Sequence, residues 1–154
     1  MKDTISIRKY KADDKEQLVE IFKRNVPQYF AESEIEDFQI YLAEKIQDYY
    51  VVILAGKVIA SGGINYDKER QLAKISWDIV DTPHHLTGIG TQLLKHRLTI
   101  IANKKDIKSV IVRTSQHAFG FYEKKGFKLL ERHKDYWAPG FDMYKMTLTL
   151  NAKN

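Results

Sequence analysis

In the stretch HHLTGIGTQLL, His84 to Leu94, two glycines one residue apart run straight into a helix-like apolar pattern. Glycine weakens a helix interior by about 1 kcal/mol relative to alanine, so Gly88 and Gly90 at a first turn imply that something must approach the main chain closely. Phosphate is the usual occupant, because the free N–H groups of a first turn and the positive end of the helix dipole together form an anion site. Two familiar phosphate loops do not fit. A Walker loop needs GxxxxGK followed by Ser or Thr, which the chain lacks, and the dinucleotide fingerprint GxGxxG meets Leu93 where its third glycine belongs. A lone GxG also serves as a tight turn with a close helix–strand contact. His84 and His85 do not read as a zinc pair, since adjacent histidines on one loop rarely converge on one ion and no nearby cysteine or carboxylate completes a set.

The elements that must hold this loop are marked by the apolar period. Ile5 and Ile7 alternate as in a short strand, and Asp13 and Asp14, with Glu16 and Gln17 three residues on, offer capping boxes to a helix carrying Leu18, Ile21 and Phe22. That helix should stop near Pro27. Ile35, Phe38, Leu42 and Ile46 give a second amphipathic helix. YYVVILA and VIASGGI form a hairpin turned at Gly56-Lys57. In LAKISWDIV, Ile75, Trp77 and Ile79 alternate against Lys74, Ser76 and Asp78, which predicts a strand running directly into the glycine loop. The helix after the loop carries Leu93, Leu94, Leu98 and Ile101 on one face, and IKSVIVR is a buried strand. A short helix around Tyr122, ended by Gly126, and the strands FKLLER and MYKMTLTL close the chain. The order β-α-α-β-β-β-α-β-α-β-β predicts an α+β fold in one domain, residues 1–154, with a parallel, right-handed crossover through the glycine helix.

Composition limits the function classes. With 44% hydrophobic and 29% charged residues, and no apolar run near the ~20 residues that cross a bilayer, the chain reads as a soluble globular domain without a membrane partner. Cysteine is absent, which removes disulfides, thiolate metal sites and a cysteine nucleophile together. The opening MKDTISIRKYKADD has no apolar segment for secretion, so a cytoplasmic setting is expected. The net charge of +5 is dispersed through mixed segments such as KADDKEQ and ERHKDYW, without a basic run or stripe. That pattern predicts a solvated surface and no nucleic-acid partner.

A second motif gives the glycine loop its context. SQHAFGFYEKKGF, Ser115 to Phe127, follows the next strand, and together with HLTGIG it resembles the GNAT N-acetyltransferase superfamily. The cofactor loop of that superfamily reads Gln/Arg-x-x-Gly-x-Gly/Ala, and its later segment reads Asn-x-x-Ala-x-x-Phe-Tyr-Glu-Lys-x-Gly-Phe. Ala118, Phe121, Tyr122, Glu123, Lys124, Gly126 and Phe127 match, and the distance between the motifs suits one helix and one strand. The resemblance extends over the IRKYKADD lead-in, the AGKVIASGGI hairpin and the closing DYWAPGFDMYKMTL, nearly the whole chain. It implies a mixed, mostly antiparallel sheet flanked by helices, with two parallel strands splayed at the centre to admit acetyl-CoA.

The resemblance also implies roles for particular residues. The backbone N–H groups of Leu86, Thr87, Gly88, Ile89, Gly90 and Thr91 would hold the pyrophosphate of coenzyme A, with His85 at the position usually taken by Gln or Arg. The pantetheine arm would lie along Asp78, Ile79 and Val80, Ser115 would replace the usual Asn, and Lys124 would serve the adenosine phosphates. The implied reaction is attack of a primary amine, on a small molecule or peptide, on the acetyl-CoA thioester in a ternary complex, with no metal and with a homodimer compatible. Tyr122 matches the family's tyrosine acid for the leaving thiolate, against a bland reading as a packed aromatic. A lysine-like amine with a pKa near 10.4 loses its proton at pH 7 at a cost of ~4 kcal/mol, so a base or desolvation must help. The family's strand carboxylate falls at Lys74, which leaves Asp78, the acidic Glu32, Glu34 and Glu36, or an ordered water as candidates. A non-catalytic acyl-CoA sensor of the same fold is the alternative reading. Tyr136, Trp137 and Phe141 suit an aromatic rim for the acceptor.

Overall fold

The computed structural model of the protein describes residues 4–150. Its elements are β1 (Ile5–Lys9), α1 (Lys15–Arg24), α2 (Glu34–Glu44), β2 (Asp48–Leu54), β3 (Lys57–Asp67), β4 (Leu72–Val80), α3 (Ile89–Ala102), β5 (Ser109–Thr114), α4 (Phe119–Lys124), β6 (Lys128–Ala138) and β7 (Phe141–Thr149). The order is the one the apolar period predicts. Seven strands make one sheet, β1-β2-β3-β4-β5-β7-β6, antiparallel at every junction except β4 with β5. That parallel pair is the one joined by α3, because a parallel connection needs a crossover long enough to hold a helix.

Each strand of the centre feeds two cores. Leu18, Ile21 and Phe22 of α1 and Phe38, Tyr41 and Leu42 of α2 pack on Tyr49, Val51 and Ile79. On the opposite face Leu93, Leu94 and Ile101 of α3 and Tyr122 of α4 pack on Val52, Ile64, Ala73, Ile75, Val110 and Met146. In β2 the alternation is strict, Tyr49 and Val51 to one side and Tyr50 and Val52 to the other, as a period of two requires.

Three local expectations are corrected. The capping boxes of Asp13 and Asp14 do not form at the start of α1. Asp14 instead accepts the Lys11 N–H at 2.8 Å and takes both arms of Arg8 at 2.8 and 2.9 Å, a charge-assisted pairing stronger than a neutral cap. The β2–β3 hairpin turns at Ala55-Gly56, one residue earlier than Gly56-Lys57, with φ of 50° and 78° and Leu54 opposite Lys57.

The third correction shapes the centre of the sheet. Ser61 faces Ile79 and Gly63 faces Ser76, so Trp77 and Asp78 together stand opposite the single Gly62. This β-bulge, with Trp77 at φ 48°, breaks the alternation predicted for LAKISWDIV. Ile75 stays on the α3 side, Trp77 and Ile79 join the α1–α2 core, and Asp78 turns to α3, away from Ser76. One extra residue exchanges every side chain after it between faces.

At the approach to the bulge the parallel pair comes apart. The ladder between β4 and β5 runs from Leu72↔Ser109 to Ile75↔Val112 and stops, although β4 continues to Val80 and β5 to Thr114. Gly62 is what lets the bulge close on its neighbours. A Cβ there would collide with Asp78 Oδ1 and lie 2.9 Å from Arg97 Nη1. Gly62→Ala should therefore lower the unfolding free energy by about 1–3 kcal/mol. Gly120→Ala, on α4 with nothing within 4 Å of the added carbon, should be neutral or raise it by up to about 1 kcal/mol, and urea unfolding of the two variants checks the contrast.

Candidate active site

The bulge aims Asp78 at the α3–α4 side, where two other side chains meet it. Arg97 of α3 donates from Nη1 to Asp78 Oδ1 at 2.5 Å and from Nη2 to Oδ2 at 2.7 Å. The Tyr122 hydroxyl of α4 donates to the same Oδ2 at 2.7 Å. Arg97 is fully buried, on the apolar stripe between Leu93 and Ile101. Its remaining contacts are main-chain carbonyls, Gly63 at 3.1 Å and Leu93 at 3.3 Å. A guanidinium without solvent needs such a complete set, because an unpaired buried charge costs several kcal/mol.

The charges set the proton states. Burial opposes the Arg97 charge, but the Asp78 carboxylate outweighs it and holds the guanidinium above its ordinary range. Burial pushes the Tyr122 phenol well above its usual value; the Asp78 charge adds to the rise and the Arg97 charge opposes it. Tyr122 is thus a protonated donor across the neutral range. On the other face Tyr49 donates to the Trp77 carbonyl at 2.8 Å and shares a 2.8 Å hydrogen bond with Ser61 Oγ, pinning the bulge. Tyr41, pushed up to about 12 by burial, donates to Asn65 Oδ1, which also accepts from Ser76.

The glycine loop lies at the end of the strand that carries the bulge. Leu86 and Gly88 take left-handed φ of 62° and 86°, and no side chain lies within 4 Å of the place a Gly88 Cβ would occupy. Gly90 faces only the Phe121 ring, 3.6 Å from an added Cβ. The first helical bond of α3 runs from the Gln92 N–H to the Gly88 carbonyl. The amides of Ile89, Gly90 and Thr91 therefore precede the ladder and are the donors a phosphate would take. The Leu86 side chain is fully exposed, and Thr87 Oγ1 donates to the His84 carbonyl at 2.5 Å.

His85 is engaged elsewhere. Its Nε2 donates to the Val80 carbonyl at 2.8 Å, beside Asn25 Nδ2 at 3.1 Å. The Asp81 N–H pairs with the Ile59 carbonyl at 2.8 Å, so by antiparallel alternation Val80 turns its own backbone groups away from β3 and toward the β5 side. Val80 thus lies on the unzipped edge that begins past Ile75, with its carbonyl already satisfied. Ile79 packs into the α1–α2 core, and the same alternation turns its backbone groups toward Ser61 of β3.

Ser115 Oγ accepts the His117 N–H at 3.2 Å and so braces the turn into α4. Lys124 is exposed in the last turn of α4. Glu34 is a cap: it is buried, accepts the Ala31 N–H at 2.8 Å and is pushed upward by that burial, while Glu32 and Glu36 are exposed. Tyr136 and Trp137 stack edge to face at 4.9 Å, and Phe141 lies 6.3 Å from His117.

Three contributors were not read from the sequence. Arg97 had a signal, a charge in the middle of the stripe Leu93, Leu94, Ile101. Gly62 and Gly63 in VIASGGI were a second, since paired glycines inside a strand mark a bulge or a close approach. Tyr29 had none. It sits between α1 and α2 and reaches across the open strand ends, 4.9 Å from the His85 ring and 5.8 Å from that of His117.

The comparisons with known proteins agree with this architecture. A family model described as an acetyltransferase (GNAT) domain matches residues 11–150. Among solved structures the chain is similar to the ribosomal-protein-S18-alanine N-acetyltransferase of Escherichia coli, with a TM-score of 0.79 and 16% identity over 98% of this chain and 97% of that one. It is also similar to an aminoglycoside 6'-N-acetyltransferase solved with coenzyme A, at 0.75 and 14% over 97% and 99%. A third is the NAA60 protein of Arabidopsis thaliana with a bisubstrate analogue, at 0.74 and 16% over 97% and 100%. No curated protein matches by sequence.

If Tyr49 pins the bulge, Tyr49→Phe keeps the ring and strips the Trp77 carbonyl and the buried Ser61 hydroxyl of a partner. The expected loss is about 1–3 kcal/mol in chemical unfolding. A variant as stable as the parent would show that the bulge does not depend on this hydroxyl.

Proposed function

The chain belongs to the GNAT acetyltransferase family, and from that premise we propose that it transfers an acetyl group from acetyl-CoA to a primary amine, on a small molecule or a peptide, within a ternary complex. The observation that carries this reading is the conjunction, where the two central parallel strands part, of an unzipped β4, a glycine loop with free first-turn amides, and a buried tyrosine hydroxyl. In this reading the amides of Ile89, Gly90 and Thr91, with the Leu86–Gly88 loop, take the pyrophosphate. The backbone of Asp78–Val80 guides the pantetheine arm toward Tyr122. His85 supports the site through Val80 and leaves phosphate contact to the main chain. Ser115 steadies the turn, and Lys124 would serve the outer phosphates.

The amine nitrogen attacks the thioester carbonyl; the C–N bond forms and the C–S bond breaks. The Tyr122 O–H swings from Asp78 to the departing sulfur and gives it a proton, and Tyr122 regains one from the nitrogen. Asp78 is the holder of Tyr122, since both its oxygens already accept charged or phenolic donors. The excess proton of an incoming ammonium leaves through water, because Glu34 is spent on its cap. A sensor of acyl-CoA would need the loop but no hydroxyl tied into a charge pair, and that tie favours catalysis.

Amine-dependent thiol release from acetyl-CoA, screened over amines, amino acids and peptides, tests the reading; no release with any acceptor class while acetyl-CoA binds would favour the sensor. Gly88→Glu places bulk and negative charge in the loop and should abolish acetyl-CoA binding in calorimetry, while the fold persists. Unchanged affinity in that variant would move the pyrophosphate elsewhere. Tyr122→Phe keeps the ring packing, so kcat should fall by about 100-fold at pH 7 with little change in cofactor affinity. The deficit should shrink above about pH 8.5, where a thiolate leaves without help.

A further inference from the structure

Arg97 touches no exposed surface, yet it carries the only full charge buried on the α3 stripe among the described residues. Its partner Asp78 is turned inward by a bulge, and the bulge is admitted by a glycine whose replacement would strike that same pair. A fully buried guanidinium, even one paired with a part-exposed carboxylate, is a poor way to stabilise a core, since apolar residues of similar volume do as well or better. The arrangement therefore calls for a reason beyond stability, and the third member of the cluster supplies one.

We infer that Arg97 is a positioning residue for acetyl transfer. Its two-pronged grip fixes the Asp78 carboxylate under the Tyr122 hydroxyl and balances its charge, so that Asp78 orients the phenol without keeping its proton. This rests on the acetyl-transfer reading above. Without that grip the carboxylate, whose side chain is part-exposed, would clamp the O–H with an unbalanced charge or turn away from it toward solvent. Either outcome leaves Tyr122 misdirected when the thiolate departs. With Arg97 present the pair is neutral as a unit, and the O–H can rotate to the sulfur and back with little electrostatic opposition.

The groups facing Tyr122 are few. Asp78 comes from β4 and Arg97 from α3, and the Phe121 and Phe127 rings pack edge-on against the phenol ring at 5.1 and 5.4 Å. Tyr49 from β2 and Tyr41 from α2 sense the same ion pair from the opposite face of the sheet. Removing the Asp78 charge alone leaves Arg97 to favour the phenolate, so Tyr122 should titrate at lower pH. Removing the Arg97 charge alone should shift it the other way.

The test compares Asp78→Asn, Arg97→Met, Arg97→Lys and the double variant Asp78→Asn/Arg97→Gln with the parent. Each is followed by urea unfolding, by kcat and KM for acetyl-CoA, and by the 13Cζ shift of Tyr122 in tyrosine-labelled protein, assigned with Tyr122→Phe. The neutral double variant should recover the stability lost by Asp78→Asn or Arg97→Met, because no uncompensated charge remains. Its kcat should stay about 10–100-fold below the parent while KM for acetyl-CoA moves less than twofold. Arg97→Lys, with charge but no fork, should fall between. In the unliganded protein Tyr122 should show no midpoint up to about pH 10 in the parent and should titrate at least one unit lower in Asp78→Asn than in the parent.

A double variant that regains both stability and full kcat would overturn the inference and leave the pair as packing. So would a Tyr122 shift indifferent to both charges. If Tyr122→Phe itself keeps full kcat with chemistry rate-limiting, the acid role fails instead. If no acceptor supports turnover, the titration order in the unliganded protein still decides whether Arg97 and Asp78 control Tyr122.

Discussion

The ion pair between Asp78 and Arg97 is the constraint on which the centre of this protein depends. It exists because a one-residue bulge in β4 turns Asp78 from the α1–α2 side to the α3 side, and it fits because Gly62 opposite has no Cβ. The bulge also bends the strand just past the last rung shared with β5, Ile75↔Val112. The same irregularity thus opens the edge and charges it. Tyr49 holds the distortion from the other face through the Trp77 carbonyl, so both cores of the protein bear on one peptide unit.

Around this centre the proton states favour donors. Tyr41, Tyr49 and Tyr122 are all raised by burial and keep their protons through neutral pH. Of these three, only Tyr122 gives its hydroxyl to a charged group, the Asp78 carboxylate on the α3 side of the sheet. The loop beyond β4 contributes main-chain amides, which need no titration, and the side chains near it are spent on structure: His85 on Val80, Thr87 on His84, Ser115 on His117. Under the acetyl-transfer proposal the division is between backbone for anion binding and one side-chain cluster for proton movement.

Much of this was legible in the residues. The element order, the parallel crossover and the glycine loop followed from apolar period and glycine placement, because regular elements bury faces at regular spacing. The match of FYEKKGF placed Tyr122 on its short helix. The bulge was not legible, since Ile75, Trp77 and Ile79 satisfy strict alternation and nothing in their types reports an extra residue. Asp78 was singled out while assigned to the wrong face. Arg97 and the glycine pair of VIASGGI were visible anomalies whose meaning depended on each other, and only the three-dimensional register joins them. Asp14 shows the same limit: a capping residue by sequence, it is taken by Arg8 from the preceding strand.

The central claim is that the edge between the bulge and the glycine loop is the seat of coenzyme A. Amide hydrogen exchange of the whole protein, with and without coenzyme A, tests it most directly, because the proposed donors are backbone N–H groups. The account predicts slowed exchange at Leu86–Thr91 and along Asp78–Val80, with the β2–β3 turn at Ala55-Gly56 unchanged. Protection centred on another surface, with the Leu86–Thr91 amides exchanging as before, would contradict it.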